Sequence, residues 1–138
     1  MARCEWVLLC DNALYDLSGR PTLVGIFERI NAPTFPAVHP ILNIAMKFAG
    51  APNERVTFFV RMLRPDRKPL FDAGGDGTLG VEGNAILAFP MVSVPVPTEG
   101  VYECQVSSGP NTPVEATVKL FVDKLETPLP PGLAPRLR

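Results

Sequence analysis

Three prolines within eight residues, Pro33, Pro36 and Pro40, set the strictest limit on what this chain can fold into. Each fixes its own φ, removes a backbone donor and pushes the preceding residue towards an extended conformation. A helix is excluded there, and so is a tight hairpin. Ahead of them, residues 22–30 read Thr-Leu-Val-Gly-Ile-Phe-Glu-Arg-Ile. Such β-branched and aromatic side chains suit a pleated strand, and Gly25 inside the run marks a bulge or a close backbone approach. A strand followed by a stiff, extended connection over residues 31–40, with Phe35 as its apolar plug, is what a crossover between two sheets requires.

The rest of the chain reads as strands too. Residues 5–11 are apolar on both faces, as a central strand would be, and Asp16 to Pro21 form a turn. The strand at 22–30 returns antiparallel, giving a hairpin. Residues 41–48 alternate, with Leu42, Ile44, Met46 and Phe48 on one side and Asn43, Ala45 and Lys47 on the other. Residues 55–64 alternate again through Val56, Phe58, Val60 and Met62, and Leu70-Phe71 adds a short strand. Residues 72–83 are glycine-rich and read as a mobile loop. Residues 85–89 resume a strand, and Pro90, Pro95 and Pro97 confine 91–96 to an edge or an extended connection. Tyr102, Cys104 and Val106 point inward from the next strand, which a turn at 108–113 joins to a last strand at 114–122. The expected fold is an all-β, antiparallel β-sandwich of seven to nine strands with a Greek-key crossover. The sandwich domain spans 1–124, and residues 125–138 form a proline-rich tail too rich in prolines for strand or helix.

Cys10-Asp11, Gly19, Leu23, Gly25-Ile26-Phe27, Ile30, Ala32, Phe35-Pro36, His39-Pro40 and Pro65-Asp66 together resemble the pattern of an uncharacterised bacterial family, a domain of unknown function. The resemblance covers roughly the first two thirds of the chain. It implies a β-sandwich and a bacterial origin, and it brings no catalytic residues with it.

The composition excludes several classes of function. A formal charge of −1 does not suit a protein that works by neutralising phosphates, so nucleic acid is not an expected partner. No apolar run reaches the length of a transmembrane helix. The opening Met-Ala-Arg-Cys-Glu-Trp lacks the apolar core of a signal peptide, and the expected location is the cytoplasm. Cys4, Cys10 and Cys104 are then read as reduced, buried thiols. With no paired-cysteine motif and a single histidine, neither a metal site nor any other cofactor is expected.

Each chemical candidate has a plainer reading. His39 could act as a base, but no nucleophile or orienting carboxylate stands beside it in sequence, so pinning the proline-rich connection is its expected role. Asp72 and Asp76 among glycines faintly suggest a calcium loop, but one copy with two carboxylates falls short of the fuller patterns. Cys10 and Asp11 point to opposite faces of a strand and cannot cooperate. Trp6 and Tyr102 could line a groove, though two aromatics make no stacking platform. Arg61, Arg64, Arg67 and Lys68 form a local basic cluster, which reads as a solvated face or as a surface for an acidic partner. The leading expectation is a non-catalytic interaction, scaffold or accessory module of a bacterial cytoplasmic system, possessing a protein partner or self-associating through a sheet edge. Its candidate partner-binding residues are Arg61, Arg64, Arg67 and Lys68 with Pro128, Pro130, Pro131 and Arg136 of the tail. A small-ligand or calcium-binding sandwich is the second expectation, and an enzyme the third.

Overall fold

The computed structural model describes residues 1–109 and 111–125. The alternating segments become nine strands: β1 (Arg3–Tyr15), β2 (Pro21–Ile26), β3 (Arg29–Ala32), β4 (Ala37–Ala49), β5 (Arg55–Leu63), β6 (Pro69–Thr78), β7 (Asn84–Val96), β8 (Gly100–Ser107) and β9 (Val114–Lys124). Four form one sheet in the order β2-β1-β4-β7, and five form the other in the order β3-β9-β8-β5-β6. Every pairing is antiparallel except that of β3 with β9. The two sheets pack face to face, so the expected sandwich is the fold.

Period-two alternation puts the core where the sequence places it. Leu42, Ile44, Met46 and Phe48 of β4 are fully buried, facing Val56, Phe58, Val60 and Met62 of β5 and Tyr102, Cys104 and Val106 of β8. Each large apolar side chain removed from water contributes about 1.5–3 kcal/mol. Tyr102 fills this core and lines no groove. Its hydroxyl donates to Thr98 O at 2.7 Å and accepts from Thr98 N at 3.3 Å, which ties the start of β8 to the connection before it. The same arrangement closes many sandwich folds.

The strand expected at 22–30 is two strands in different sheets. Phe27 N still donates to Leu9 O at 3.0 Å in the first sheet, whereas Glu28 O accepts from Phe121 N at 2.7 Å in the second. The chain therefore changes layers within one peptide unit. Gly25 prepares that change. It has φ +68, and a Cβ on it would lie 2.3 Å from an Asp11 carboxylate oxygen. The crossover expected over 31–40 is correspondingly shorter. Residues 33–36 carry the chain back, with a cis peptide at Phe35-Pro36, and β4 begins at Ala37. His39 and Pro40 thus belong to a central strand. His39 is buried, its ring 5.7 Å from that of Phe27, which lies in the link between β2 and β3.

A second departure concerns the outer face of the four-stranded sheet. Asn43 and Ala45 point away from the core, yet Ala45 is wholly buried and Asn43 nearly so. The end of the β1–β2 hairpin covers them. Asn43 Nδ2 donates to Asp11 O at 2.9 Å, and the Tyr15 hydroxyl reaches across to Ile86 O of β7 at 3.0 Å. The hairpin therefore folds back over its own sheet as a partial third layer.

The third departure is the stretch read as a glycine loop. Residues 69–78 form β6, paired along its whole length with β5, and only residues 79–83 turn. The calcium-loop reading fails with it, because Asp72 and Asp76 lie four strand residues apart, roughly 13 Å. Glycine is used here for close approach. A Cβ on Gly75 would lie 2.8 Å from the Phe58 ring, and that ring is held between Phe48 and Phe89 at centroid distances of 6.1 and 5.8 Å.

Candidate functional site

The two sheets have four outer strands: β2 and β7 in one, β3 and β6 in the other. An outer strand carries a row of backbone donors and acceptors that a further strand could complete, and most natural edges are blunted against this. β3 is only four residues long. β2 contains the kink at Gly25. β7 contains Pro90 and Pro95, and Ser93 between them has φ 50, so its ladder is interrupted. β6 is different. It runs for ten residues with no proline after Pro69, and no strand among the described residues pairs with its far side.

Alternation along β6 sets two rows. Phe71, Ala73, Gly75 and Gly77 face the core, opposite Met62, Val60, Phe58 and Val56. Asp72, Gly74, Asp76 and Thr78 face outward, opposite Arg61, Phe59, Thr57 and Arg55. Below the inward row, Leu70 and Phe71 together with Leu87, Phe89 and Met91 of β7 are only partly buried against the core. The side of the sandwich between β6 and β7 is thus an apolar seam with an open backbone edge along it.

The basic cluster lies at one end of this region. Arg61 holds Asp72 through two contacts, Nε to Oδ1 at 2.8 Å and NH2 to Oδ2 at 3.3 Å, which raises the Arg61 pKa further. Arg67 reaches Glu103 at 3.4 Å, and Arg64 reaches Asp66 at 3.5 Å. The hydrogen bond from Gln105, then the Arg67 charge, hold Glu103 below the usual carboxylate range. Three of the four cations therefore have carboxylate neighbours, which reduces the field an acidic partner would meet. Arg64 Nε is buried with no acceptor, so that side chain is packed into the turn more than displayed. Pro128, Pro130, Pro131 and Arg136 lie outside the described residues.

Two further clefts lie among the described residues. One of about 480 Å³ separates the hairpin turn at Ser18–Pro21 from residues 78–86 of the β6–β7 connection. Another, about 460 Å³, lies between Met1–Arg3 and Thr112–Glu115. Its carboxylate is already engaged, since Glu115 accepts from Cys4 N at 2.8 Å and from the Ser108 hydroxyl at 2.7 Å. The three cysteines are buried thiols. Burial, then the Glu115 charge, push Cys4 up to about 11, and burial pushes Cys104 up to about 12. Neither is a thiolate at neutral pH. Among the described residues no three His, Cys, Asp or Glu side chains gather closely enough to hold a metal ion, and no helix is long and apolar enough to cross a membrane. The edge itself was missed in the sequence because glycine content read as a loop; the alternation of Asp72, Gly74, Asp76 and Thr78 with Phe71 and Ala73 was the signal available.

Fold and edge together define a β-sandwich with one long, regular strand at the margin of a sheet. The chain belongs to a family of unknown function, DUF6941, whose model matches residues 5–120. No curated protein matches it in sequence. Among solved structures it is similar to the C-terminal domain of wzt, at 11% identity over 94% of this chain and 83% of that one, with a TM-score of 0.49. The CARDB domain of the PF1109 protein from Pyrococcus furiosus, solved with di-metal ions, is 14% identical over 90% of this chain and 94% of that one, with a TM-score of 0.45. A beta-glucosidase from Listeria innocua matches at 11% identity and a TM-score of 0.49; 70% of this chain aligns, but it spans only 15% of that protein.

Proposed function

We propose that this domain is a non-catalytic protein-interaction module that binds by adding a partner's strand to β6. The observation that carries the reading is the contrast among the four sheet edges: three are short, kinked or interrupted by proline, and the ten-residue β6 is none of these. Strand addition draws affinity from the main-chain ladder and specificity from alternate side chains. The apolar seam of Leu70, Phe71, Leu87, Phe89 and Met91 gives such a strand something to bury. A cytoplasmic setting fits the three buried thiols. The basic corner at Arg61, Arg64, Arg67 and Lys68 plays the lesser part, since exposed pairs of this kind contribute about 0–1 kcal/mol.

Amide hydrogen exchange of the domain, alone and with a partner recovered from its native organism, tests this. Binding should slow exchange along residues 69–78. Protection confined to another face, with 69–78 unchanged, would remove β6 from the interface.

A further inference from the structure

We infer that the strand received by β6 alternates apolar with basic side chains and comes from a different protein, an inference that rests on the reading of β6 as the binding edge. The inward side of an added strand faces the seam. β6 and β7 are the last strands of their sheets on the same side of the molecule, and they approach closely: a Cβ on Gly77 would lie 2.6 Å from a Leu87 methyl. Since Gly75 and Gly77 present no side chains, apolar groups entering at that level meet the Phe58 ring and Leu87. Every other residue of the partner is therefore apolar.

The outward side is set by charge. The outward row of β6 holds Asp72 and Asp76. Asp72 is matched by Arg61, whereas Asp76 accepts only the Thr57 hydroxyl, at 3.0 Å, and no cation bridges it among the described residues. A Lys or Arg directly across from Asp76 completes a favourable cross-strand pair, and a carboxylate there repels it.

The same charges disfavour a second copy of this chain. Antiparallel self-pairing centred on Gly74 sets Asp72 against Asp76 twice. Centring on Gly75 avoids that clash by setting Asp76 beside Gly74 and Asp72 beside Thr78, but β6 contains no Lys or Arg, so no register of self-pairing gives Asp76 a cation from the other copy's β6. A heterologous basic strand supplies one.

The test titrates short synthetic strands into the full chain at low ionic strength, following backbone amide shifts of residues 69–78 by NMR. The strands carry Val at alternate positions and Lys, Ser or Glu at the others, and a scrambled Val/Lys peptide serves as control. The Val/Lys strand should bind about fivefold more tightly than the Val/Glu strand, from one favourable pair replacing one repulsion. Scrambling should abolish binding, and Asp76→Lys should invert the order of preference. Equal or inverted affinities for the original protein, with the 69–78 amides still responding, would overturn the basic partner and leave the edge reading standing. No response along 69–78 to any peptide would overturn both. Concentration-dependent shifts of these amides without peptide would identify a second copy as the occupant and overturn the heterologous one.

Discussion

β6 and β7 follow one another in the chain, lie on the same side of the sandwich and each close a sheet, yet they are built oppositely. β7 carries two prolines and a residue of positive φ, the usual devices that stop a strand from recruiting another. β6 carries three glycines and no proline beyond its first residue. Glycine weakens a strand in isolation, but here it lets β6 settle onto Phe58 and Leu87 without side chains in the way. The contrast teaches that a residue commonly taken as a strand breaker can serve packing at one margin while proline serves protection at the other.

The comparison breaks most readily at Gly75. Gly75→Val drives a branched side chain into a ring that two other aromatics hold in place, and should destabilise the domain by about 1–3 kcal/mol in urea denaturation. Gly80→Ala, in the turn with its nearest neighbour 3.5 Å away, should change stability by less than about 0.5 kcal/mol. Equal effects at the two sites would show that β6 does not need its glycines for packing.

A smaller effect on stability, with a visible one on association, is expected from opening the protected edge. Replacing both Pro90 and Pro95 with Val restores two ladder donors to β7 and should produce dimers or larger species by light scattering at concentrations where the natural chain does not associate. An unchanged size would mean that the prolines are not what keeps β7 single.

The smallest effect sharpens what lies against β7. Hydrogen bonds from Ser18 and from the Arg20 backbone hold Asp16 down at about 2, against an ordinary 3.8. The folded state thus favours the carboxylate. Its contribution to the hairpin turn is complete above about pH 4 and is lost as pH falls towards 2. NMR shifts of the Ser18 and Arg20 amides should move over that window while the core stays folded, and Asp16→Asn should abolish the movement. A midpoint near 4 would show that the turn does not stabilise the charged form.

Much of this was legible in the sequence, because alternation is a local signal. The inward faces of β4, β5 and β8 follow from period two alone, and the edge position of β7 follows from its prolines. What escaped depends on distant residues. The change of sheet at Phe27 and Glu28 depends on Leu9 and Phe121, which accept and donate one peptide apart. β6 was hidden because the close approach that explains its glycines involves Phe58 and Leu87, neither adjacent in sequence. The burial of Ala45 was hidden because the hairpin that covers it lies thirty residues earlier. The open edge was missed for the same reason as β6 itself, since an edge exists only once its strand does.

That covering hairpin also fixes an order of events during synthesis. Its tip finds its anchor only when Ile86 has emerged, and β1 is held at its other end by Glu115, near the close of the domain. A nascent chain that stops before β7 leaves Ala45 and its neighbours bare, so the first third of the protein waits for strands made much later before it is safe from aggregation. Contacts this remote in sequence make for slow folding, and truncations from the C-terminal side of β9 inward should lose the whole domain at once rather than strand by strand.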